Sequence, residues 1–282
     1  MLKVGCHLAG GTKLGESLGV ADAMNMTAVQ VFAHAPQRLT IPLAFGSLAE
    51  AKGVQLCDYT HITKAVHGPY TLNLSSDEKM SDKYVLKYLR GTATFAQSIG
   101  AKYLVFHTGS YQENIKGKSL GKKVLKRRML DWLTFTEGMD VTMCLENDCG
   151  GGKRIGGLKF LLQLVKEVDH PRLRICFDSA HAFASGLDFN SKEGGILQKL
   201  ESEYLPWIAV VHLNQADPDV ICGKHRDRHN VIWSEGSINT GCLEKLSVLF
   251  QDKVLIAESR EKSVAFSNIQ SIVSGIDRRT YG

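Results

Sequence analysis

Eight continuously apolar runs recur along this chain of 282 residues, and their spacing limits the folds open to it. Apolar runs with little alternation are typical of parallel strands covered on both faces. Segments with helical periodicity separate them; in 82–100, Val85, Leu89 and Ala93 fall on one helical face. The pattern predicts the α/β fold class and a (β/α)8 TIM barrel, with 1–282 as a single domain. The predicted strands lie near 2–7, 28–34, 63–67, 102–107, 141–146, 172–178, 207–212 and 253–258.

The last six of these runs share a chemical feature, because each ends at a side chain that can bind a metal. These six residues are His67, His107, Glu146, Asp178, His212 and Glu258. Three more candidates follow in the adjoining loops: His181, Asp227 and His229. Strands usually end in turn residues such as glycine or asparagine. The regularity therefore predicts an active site at the C-terminal face of a barrel. An open, doubly wound sheet is the alternative, but it gathers its site at one switch point.

The nine candidates are all imidazoles and carboxylates. These ligands favour zinc, although manganese or iron also fits the ligand types. One zinc ion takes three or four protein ligands, so nine residues indicate two or three ions with a shared carboxylate. Clustered metal ions are typical of enzymes that hydrolyse phosphate esters.

Composition sets further limits. A hydrophobic content of 44% and a charged content of 22% are typical of a soluble globular protein. We expect no membrane span, because no apolar run reaches about 18 residues. The N-terminus reads as a strand rather than a signal peptide, and seven scattered cysteines suit a reducing compartment, so we expect an intracellular protein. We also expect a monomer. The net charge of +5 would assist approach to a phosphate polymer, although the basic run 116–128 reads as a solvated helix face.

Several motifs carry a resemblance that extends over almost the whole chain. They include His67-Gly68-Pro69-Tyr70, Phe106-His107-Thr108-Gly109-Ser110, Leu145-Glu146-Asn147, Asp178-Ser179-Ala180-His181-Ala182-Phe183, His212-Leu213-Asn214 and Arg226-Asp227-Arg228-His229. In their order and spacing, the chain resembles the endonuclease IV family of abasic-site DNA repair endonucleases.

The resemblance implies three zinc ions, with manganese as a possible substitute. The implied ligand sets are His67, His107 and Glu146 for the first ion, Glu146, Asp178, His212 and Glu258 for the second, and His181, Asp227 and His229 for the third. Glu146 would bridge the first two ions and, with Glu258 and a metal-bound hydroxide, would form the catalytic centre.

The resemblance also implies an activity and a partner. The family hydrolyses the phosphodiester bond 5′ to an abasic site in duplex DNA, which leaves a 3′-hydroxyl and a 5′-deoxyribose phosphate, and it trims blocked 3′ ends. The positions implied to contact DNA are Arg38, Tyr70, Thr71, Arg226 and Arg228. Thr71 is a departure, since the family commonly has a leucine there that helps to wedge the base stack apart.

Two other functions compete with this interpretation. A metal-dependent sugar isomerase or epimerase uses a similar barrel but needs fewer ligands, so Asp227 and His229 argue against it. A DNA-binding protein that has lost catalysis would leave a ligand position unfilled, and none is.

Four residues near these motifs have other expected roles. Strand alternation points Cys144 and Cys176 into the barrel, where we expect them to pack as small apolar groups. His7 is expected to support the site from the first strand. Trp233 is expected to pack, and its place in the long loop after strand seven also makes it a candidate substrate contact.

Overall fold

A computed structural model shows eight parallel strands that close into a barrel in sequence order, with β1 paired to both β2 and β8. It describes residues 2–33, 37, 39–44, 55–76, 82–111, 117–191, 195–258 and 261–280. The predicted TIM barrel is thereby confirmed. The strands are β1 Lys3–Leu8, β2 Ala28–Phe32, β3 Thr63–His67, β4 Tyr103–His107, β5 Thr142–Glu146, β6 Leu173–Asp178, β7 Ile208–His212 and β8 Val254–Ala257.

Helices cover the outside of the barrel, and their apolar faces pack on the strands to form the main core. The α-helices are α1 Leu14–Ala23, α2 Asp82–Ser98, α3 Gly117–Phe135, α4 Leu158–Val168, α5 Ser179–Ala184, α6 Ile196–Lys199, α7 Thr240–Leu249 and α8 Lys262–Thr280. A short 3-10 helix, Leu56–Tyr59, precedes β3. The main differences from the predicted bounds are at element ends: β2 stops at Phe32, and Glu258 lies one residue beyond β8.

A separate, fully buried layer fills the inside of the barrel. It consists of Ala28, Val105, Cys144, Cys176, Val210, Val254 and Ile256. Five of these residues stand two positions before a predicted metal ligand. Because side chains alternate along a strand with a period of two, the ligand and the buried residue point to the same side. The layer is therefore the floor of the site, and the packing role expected for Cys144 and Cys176 is confirmed.

The solvated face predicted for the basic run 116–128 is only partly correct. Most of its described lysines on α3 are exposed or half-buried, as a solvated face requires. Arg128, by contrast, is 0% exposed. Its guanidinium donates to Asp82 at 2.9 Å and to the carbonyl oxygens of Asn73 and Ser76, both at 3.1 Å. Arg128 thus fastens α3 to α2 and to the loop after β3, which carries Tyr70.

Within the described residues, no helix is both long and apolar enough to cross a membrane. All seven cysteines are free thiols.

Candidate metal centre

One carboxylate, Glu146 at the end of β5, lies at the middle of the site and is 1% exposed. Its Oε2 atom faces the β3 and β4 side of the barrel, 3.1 Å from Nε2 of His67 and 3.3 Å from Nδ1 of His107. Its Oε1 atom faces the other way, 3.1 Å from Nδ1 of His212. The two oxygens of Glu146 therefore belong to two different groups of donor atoms.

The second group consists of largely buried residues at or next to the ends of β5 to β8. Nδ1 of His212 lies 3.3 Å from Oε2 of Glu258 and 3.7 Å from Oδ2 of Asp178. One donor atom each from Glu146, Asp178, His212 and Glu258 falls within 4.8 Å of the others. This is the set that the resemblance implied for the second ion.

The third group joins α5 to the loop after β7. Oδ1 of Asp227 lies 3.1 Å from Nε2 of His181 and 3.4 Å from Nε2 of His229. Donor atoms of His181 and His229 also fall within 4.8 Å of one from Asp178. The structure thus adds Asp178 to the neighbourhood of the third group, a contact that the sequence motifs did not indicate. All nine predicted ligand positions come together on one face of the barrel.

Three of the imidazoles are oriented by neutral oxygen atoms. Nδ1 of His67 contacts the carbonyl oxygen of Gly68 at 2.6 Å, and Nδ1 of His181 contacts that of Asn147 at 2.9 Å. Nε2 of His212 lies 2.9 Å from Oε1 of Gln30. An acceptor on one ring nitrogen holds the proton there and leaves the lone pair of the other nitrogen directed at the carboxylates.

The remaining support comes from amides and an imidazole around the ligands. Asn214 donates to Oδ2 of Asp178 at 2.7 Å and to Oε2 of Glu258 at 3.2 Å. Nδ1 of His7 lies 3.0 Å from Oε1 of Glu258, which agrees with its expected supporting role. Gln30 was not anticipated from the sequence; the signal was a polar residue within the apolar strand Ala28–Phe32.

The surroundings shift the pKa values of the three central carboxylates in different directions. Burial alone would raise the pKa of Glu146, but the His107 and His212 rings hold it well below its usual range. Burial likewise opposes ionisation of Glu258, yet His212 and His7 lower its pKa well below the usual range. Burial raises the pKa of Asp178, and its histidine neighbours do not fully offset this effect.

The pKa values of the histidines are also shifted in different directions. Burial lowers the pKa of His107 to about 4, because Glu146 offsets only part of the desolvation. Burial also opposes protonation of His212, but Glu258 and Glu146 raise its pKa to about 9. For His181, the opposing effect of burial is overcome by Asp178 and Asp227, which raise its pKa well above the usual range.

This donor set fits zinc. Three largely buried carboxylates, Glu146, Asp178 and Glu258, stand close together, and their mutual repulsion requires positive charge among them. Imidazole nitrogens and carboxylate oxygens are the ligands that zinc takes in proteins, and each group offers three or four of them. The residues are therefore able to hold a cluster of divalent cations.

An open cleft of about 820 Å³ gives access to the site. Tyr70 stands at its edge with 55% of its surface exposed, and its ring lies 5.7 Å from that of His67 and 5.6 Å from that of His107. Phe32 packs behind it, with ring centroids 5.6 Å apart. The exposed aromatic face is thus held directly beside the first group of donor atoms.

The other predicted DNA contacts lie in different settings. Thr71 is exposed next to Tyr70. Arg226 and Arg228 are also exposed, but each lies 2.8 Å from Oδ2 of Asp219, so both arginines share one carboxylate. Arg38 lies outside the described residues.

Trp233 is not a substrate contact in this fold. It is 3% exposed, and its carbonyl oxygen accepts a hydrogen bond from Gln215 at 2.7 Å. Gln215 is itself buried and also bonds to both backbone groups of Ile238, at 2.7 Å and 2.9 Å. These two residues fasten the long loop that follows β7. The expectation failed because a large aromatic in a long loop packs under the loop more readily than it faces solvent.

The fold is shared with solved structures of low sequence identity. An endonuclease IV from Thermus thermophilus superposes with a TM-score of 0.78 at 24% identity, over 98% of this chain and 99% of that one. A D-tagatose 3-epimerase-like protein superposes with a TM-score of 0.68 at 20% identity, over 99% and 96%. At these identities the likeness concerns the fold alone.

Sequence comparison is more specific. The model of the xylose isomerase-like TIM barrel family matches residues 18–262. A probable endonuclease 4 of Mycoplasma mobile is 31% identical over 67% of this chain, although the match spans only 64% of that protein. Endonuclease 4 of Thermus thermophilus is 30% identical over 92% of each protein. The chain therefore belongs to the xylose isomerase-like TIM barrel family and, within it, to the endonuclease IV enzymes.

Proposed function

We propose that this protein is a zinc-dependent DNA repair endonuclease. It hydrolyses the phosphodiester bond on the 5′ side of an abasic site in duplex DNA, and it leaves a 3′-hydroxyl and a 5′-deoxyribose phosphate. The observation that carries the proposal is the position of Glu146, whose two oxygens face two separate groups of donors at 3.1 Å. A bridging carboxylate of this kind is what a pair of metal ions at a phosphate ester requires.

The nine residues would hold three zinc ions, with manganese as a substitute. The proposed ligands are His67, His107 and Glu146; Glu146, Asp178, His212 and Glu258; and His181, Asp227 and His229. When bound, such ions lower the pKa of water and neutralise the charge on phosphate oxygens. Asp178, close to His181 and His229, is the second carboxylate through which two of the groups touch.

The chain itself decides where the phosphate approaches. Asp178 and His212 are 0% exposed and do not line the cleft. The side chains of His107 and Asp227 are 24% and 37% exposed on the cleft. A phosphodiester would therefore enter between these two residues, with the first and third groups on either side of it. Glu146 and Glu258 would then be the catalytic carboxylates, because their negative charge would hold the cations in place.

The rim supplies contacts for the DNA. Tyr70 offers an exposed aromatic face for stacking, and Thr71 would stand next to it where the strand bends. Arg38, Arg226 and Arg228 would contact backbone phosphates, aided by the net charge of +5. A blocked 3′ end presents the same kind of ester, so the same site would also trim such ends. An enzyme with this substrate works in the compartment that contains DNA, and we propose that it acts as a monomer.

A sugar isomerase or epimerase is the alternative, because a D-tagatose 3-epimerase-like protein shares this fold. The third donor group argues against it. Such an enzyme needs one metal site and an acid-base residue, whereas Asp227 and His229 extend the donor set well beyond that need.

The direct test is an incision assay on a 5′-labelled duplex that contains one tetrahydrofuran abasic analogue. We expect a single nick 5′ to the analogue, a product that DNA polymerase can extend, and loss of activity after prolonged treatment with a strong chelator. Undamaged duplex should be cut far more slowly, because extrusion of a paired base costs a few kcal/mol. If zinc-loaded protein leaves the abasic duplex intact but epimerises a free ketose, the isomerase function is correct instead.

A further inference from the structure

One buried polar side chain has no part in the proposed chemistry. Gln30 lies in the middle of β2 between Val29 and Val31, and it is 0% exposed. A buried amide is costly unless its donors and acceptors are satisfied. Gln30 directs both ends of its amide at residues of the metal centre: Nε2 lies 2.9 Å from Oε1 of Glu258, and Oε1 lies 2.9 Å from Nε2 of His212.

The orientation of this amide follows from its partners. Ionised Glu258 can only accept a hydrogen bond, so the Gln30 group beside it must be the NH2. Nδ1 of His7 donates to the same Oε1 of Glu258 at 3.0 Å, so the amide and the imidazole hold that oxygen together. The remaining atom, Oε1, can only accept, and its partner is Nε2 of His212. His212 must therefore carry a proton on Nε2.

This proton determines which nitrogen is a ligand atom. With Nε2 protonated, the lone pair of a neutral His212 is on Nδ1. Nδ1 is the atom that faces Glu146, Asp178 and Glu258, at 3.1, 3.7 and 3.3 Å. The same amide holds Oε1 of Glu258, which leaves its Oε2 directed towards His212.

We propose that Gln30 is a positioning residue for the second donor group, since it fixes the tautomer of His212 and the orientation of Glu258 together. The proposal rests on the metal centre of the proposed function. It also gives β1 and β2 a role: they end without ligands, and they provide His7 and Gln30 behind the ligands of β7 and β8.

Two substitutions separate the two parts of this role. Gln30→Met keeps a similar volume but removes both hydrogen bonds. Gln30→Glu keeps an acceptor for Nε2 of His212, yet it places a negative charge against Glu258. The control is Ser247→Ala, because Ser247 is likewise 0% exposed but its hydroxyl donates to the carbonyl oxygen of Leu243 within α7, at 2.8 Å and away from the donor groups.

The first measurement is stepwise removal of zinc by a competing chelator, followed by metal analysis. The unmodified protein should release three equivalents. Loss of a hydrogen bond behind a ligand typically weakens metal affinity about 10- to 100-fold. We expect that loss for one equivalent in both Gln30 variants, whereas Ser247→Ala should leave all three zinc affinities unchanged.

The second measurement is 15N-histidine NMR of the zinc-loaded proteins, with the His212 signals assigned by their absence in His212→Gln. The unmodified protein and Gln30→Glu should show a slowly exchanging Nε2–H proton on His212, and in Gln30→Met this proton should exchange faster because it has lost its acceptor. The proposal is overturned if Gln30→Met retains the slow exchange of that proton and all three zinc affinities. If Gln30→Met does not fold, Gln30→Glu decides the question, and unchanged affinity for all three zinc ions in that variant overturns the proposal. An unmodified protein that binds no zinc would instead remove the proposed function itself.

Discussion

The second and third donor groups lie side by side but are built from different parts of the fold. The second group uses residues at or next to the ends of four neighbouring strands, and its members Asp178 and His212 are fully buried. The third group takes Asp227 and His229 from the loop after β7, and these side chains are 37% and 22% exposed. Asp178 touches both groups.

The two groups differ in how firmly the fold holds them. Strand ends are fixed by the barrel hydrogen bonds and by the packed layer beneath them, so the second group is rigid. The loop-borne pair depends on local contacts, such as the ion pair between Arg154 and Asp227 at 3.6 Å. We infer that the strand-borne group holds the permanent core of the centre, whereas the loop-borne pair can be removed without loss of the fold.

The largest effect is expected for Glu146→Gln, which keeps the size of the bridging side chain but removes its charge. Two cations would lose their shared carboxylate, so incision of abasic duplex should fall by at least about 10²- to 10³-fold. Zinc content should fall with it. The measurement is single-turnover incision with parallel elemental analysis, and near-normal incision would show that the residue is merely structural.

Removal of the loop-borne pair should have a large but more selective effect. Asp227→Ala or His229→Ala should lower bound zinc from about three equivalents towards two, since each removes one ligand from a group of three or four. The melting temperature of the chelated protein should fall less than in His212→Ala, because both side chains are partly exposed. His212→Ala is the matched comparison: its site is fully buried, so it should lower both zinc content and stability. A value near one zinc in the unmodified protein would contradict the trinuclear centre.

The second group should also bind zinc in a pH-dependent way. Glu258 and Glu146 raise the pKa of His212 in the folded, metal-free protein to about 9, above the ordinary 6.5. The stability that this raised pKa contributes is fully present below pH 6.5 and is lost as the pH rises through about 9. Zinc must displace the same proton, so its affinity should increase over that window.

Two experiments check this prediction. Urea unfolding of the chelated protein should show falling stability between pH 6.5 and 9, and zinc titration calorimetry in buffers of different ionisation enthalpy should show proton release at pH 7. Zinc affinity that does not change with pH across this range would contradict the assignment.

The smallest effects are expected at the rim. Tyr70→Ala should weaken binding to abasic duplex by about 1–3 kcal/mol, the typical contribution of one stacking contact, with no change in zinc content.

Arg226→Ala and Arg228→Ala should each lower the salt dependence of binding by less than one phosphate contact, because both arginines are paired with Asp219. Thr71→Leu, a larger apolar wedge, should strengthen binding to the damaged duplex. Fluorescence anisotropy over a salt series measures all four.

The strand-borne part of the centre could be predicted from sequence for a physical reason. In a parallel barrel all strands end at one face, so a ligand at the end of an apolar run needs no further information to be placed. His67 and Glu146 are examples: the runs before them fixed their positions. Asp227 and His229 lie in a loop, and only the family resemblance grouped them with His181.

Other features could not be predicted from the sequence, because they depend on partners that are distant along the chain. Gln30 is polar in an apolar strand, but its partners His212 and Glu258 are 182 and 228 residues away. Arg128 belonged to a basic run, and only the tertiary structure shows that it is enclosed by Asp82 and two carbonyl oxygens.

The floor of the barrel has a consequence for the reactivity of its two cysteines. Cys144 and Cys176 lie on the neighbouring strands β5 and β6, two residues before Glu146 and Asp178. Burial raises the pKa of both thiols. A thiol that stays protonated is a poor nucleophile and a poor metal ligand. The two thiols of the barrel floor are thus expected to compete poorly for any metal that the carboxylates and imidazoles above them bind, and to react slowly with oxidants.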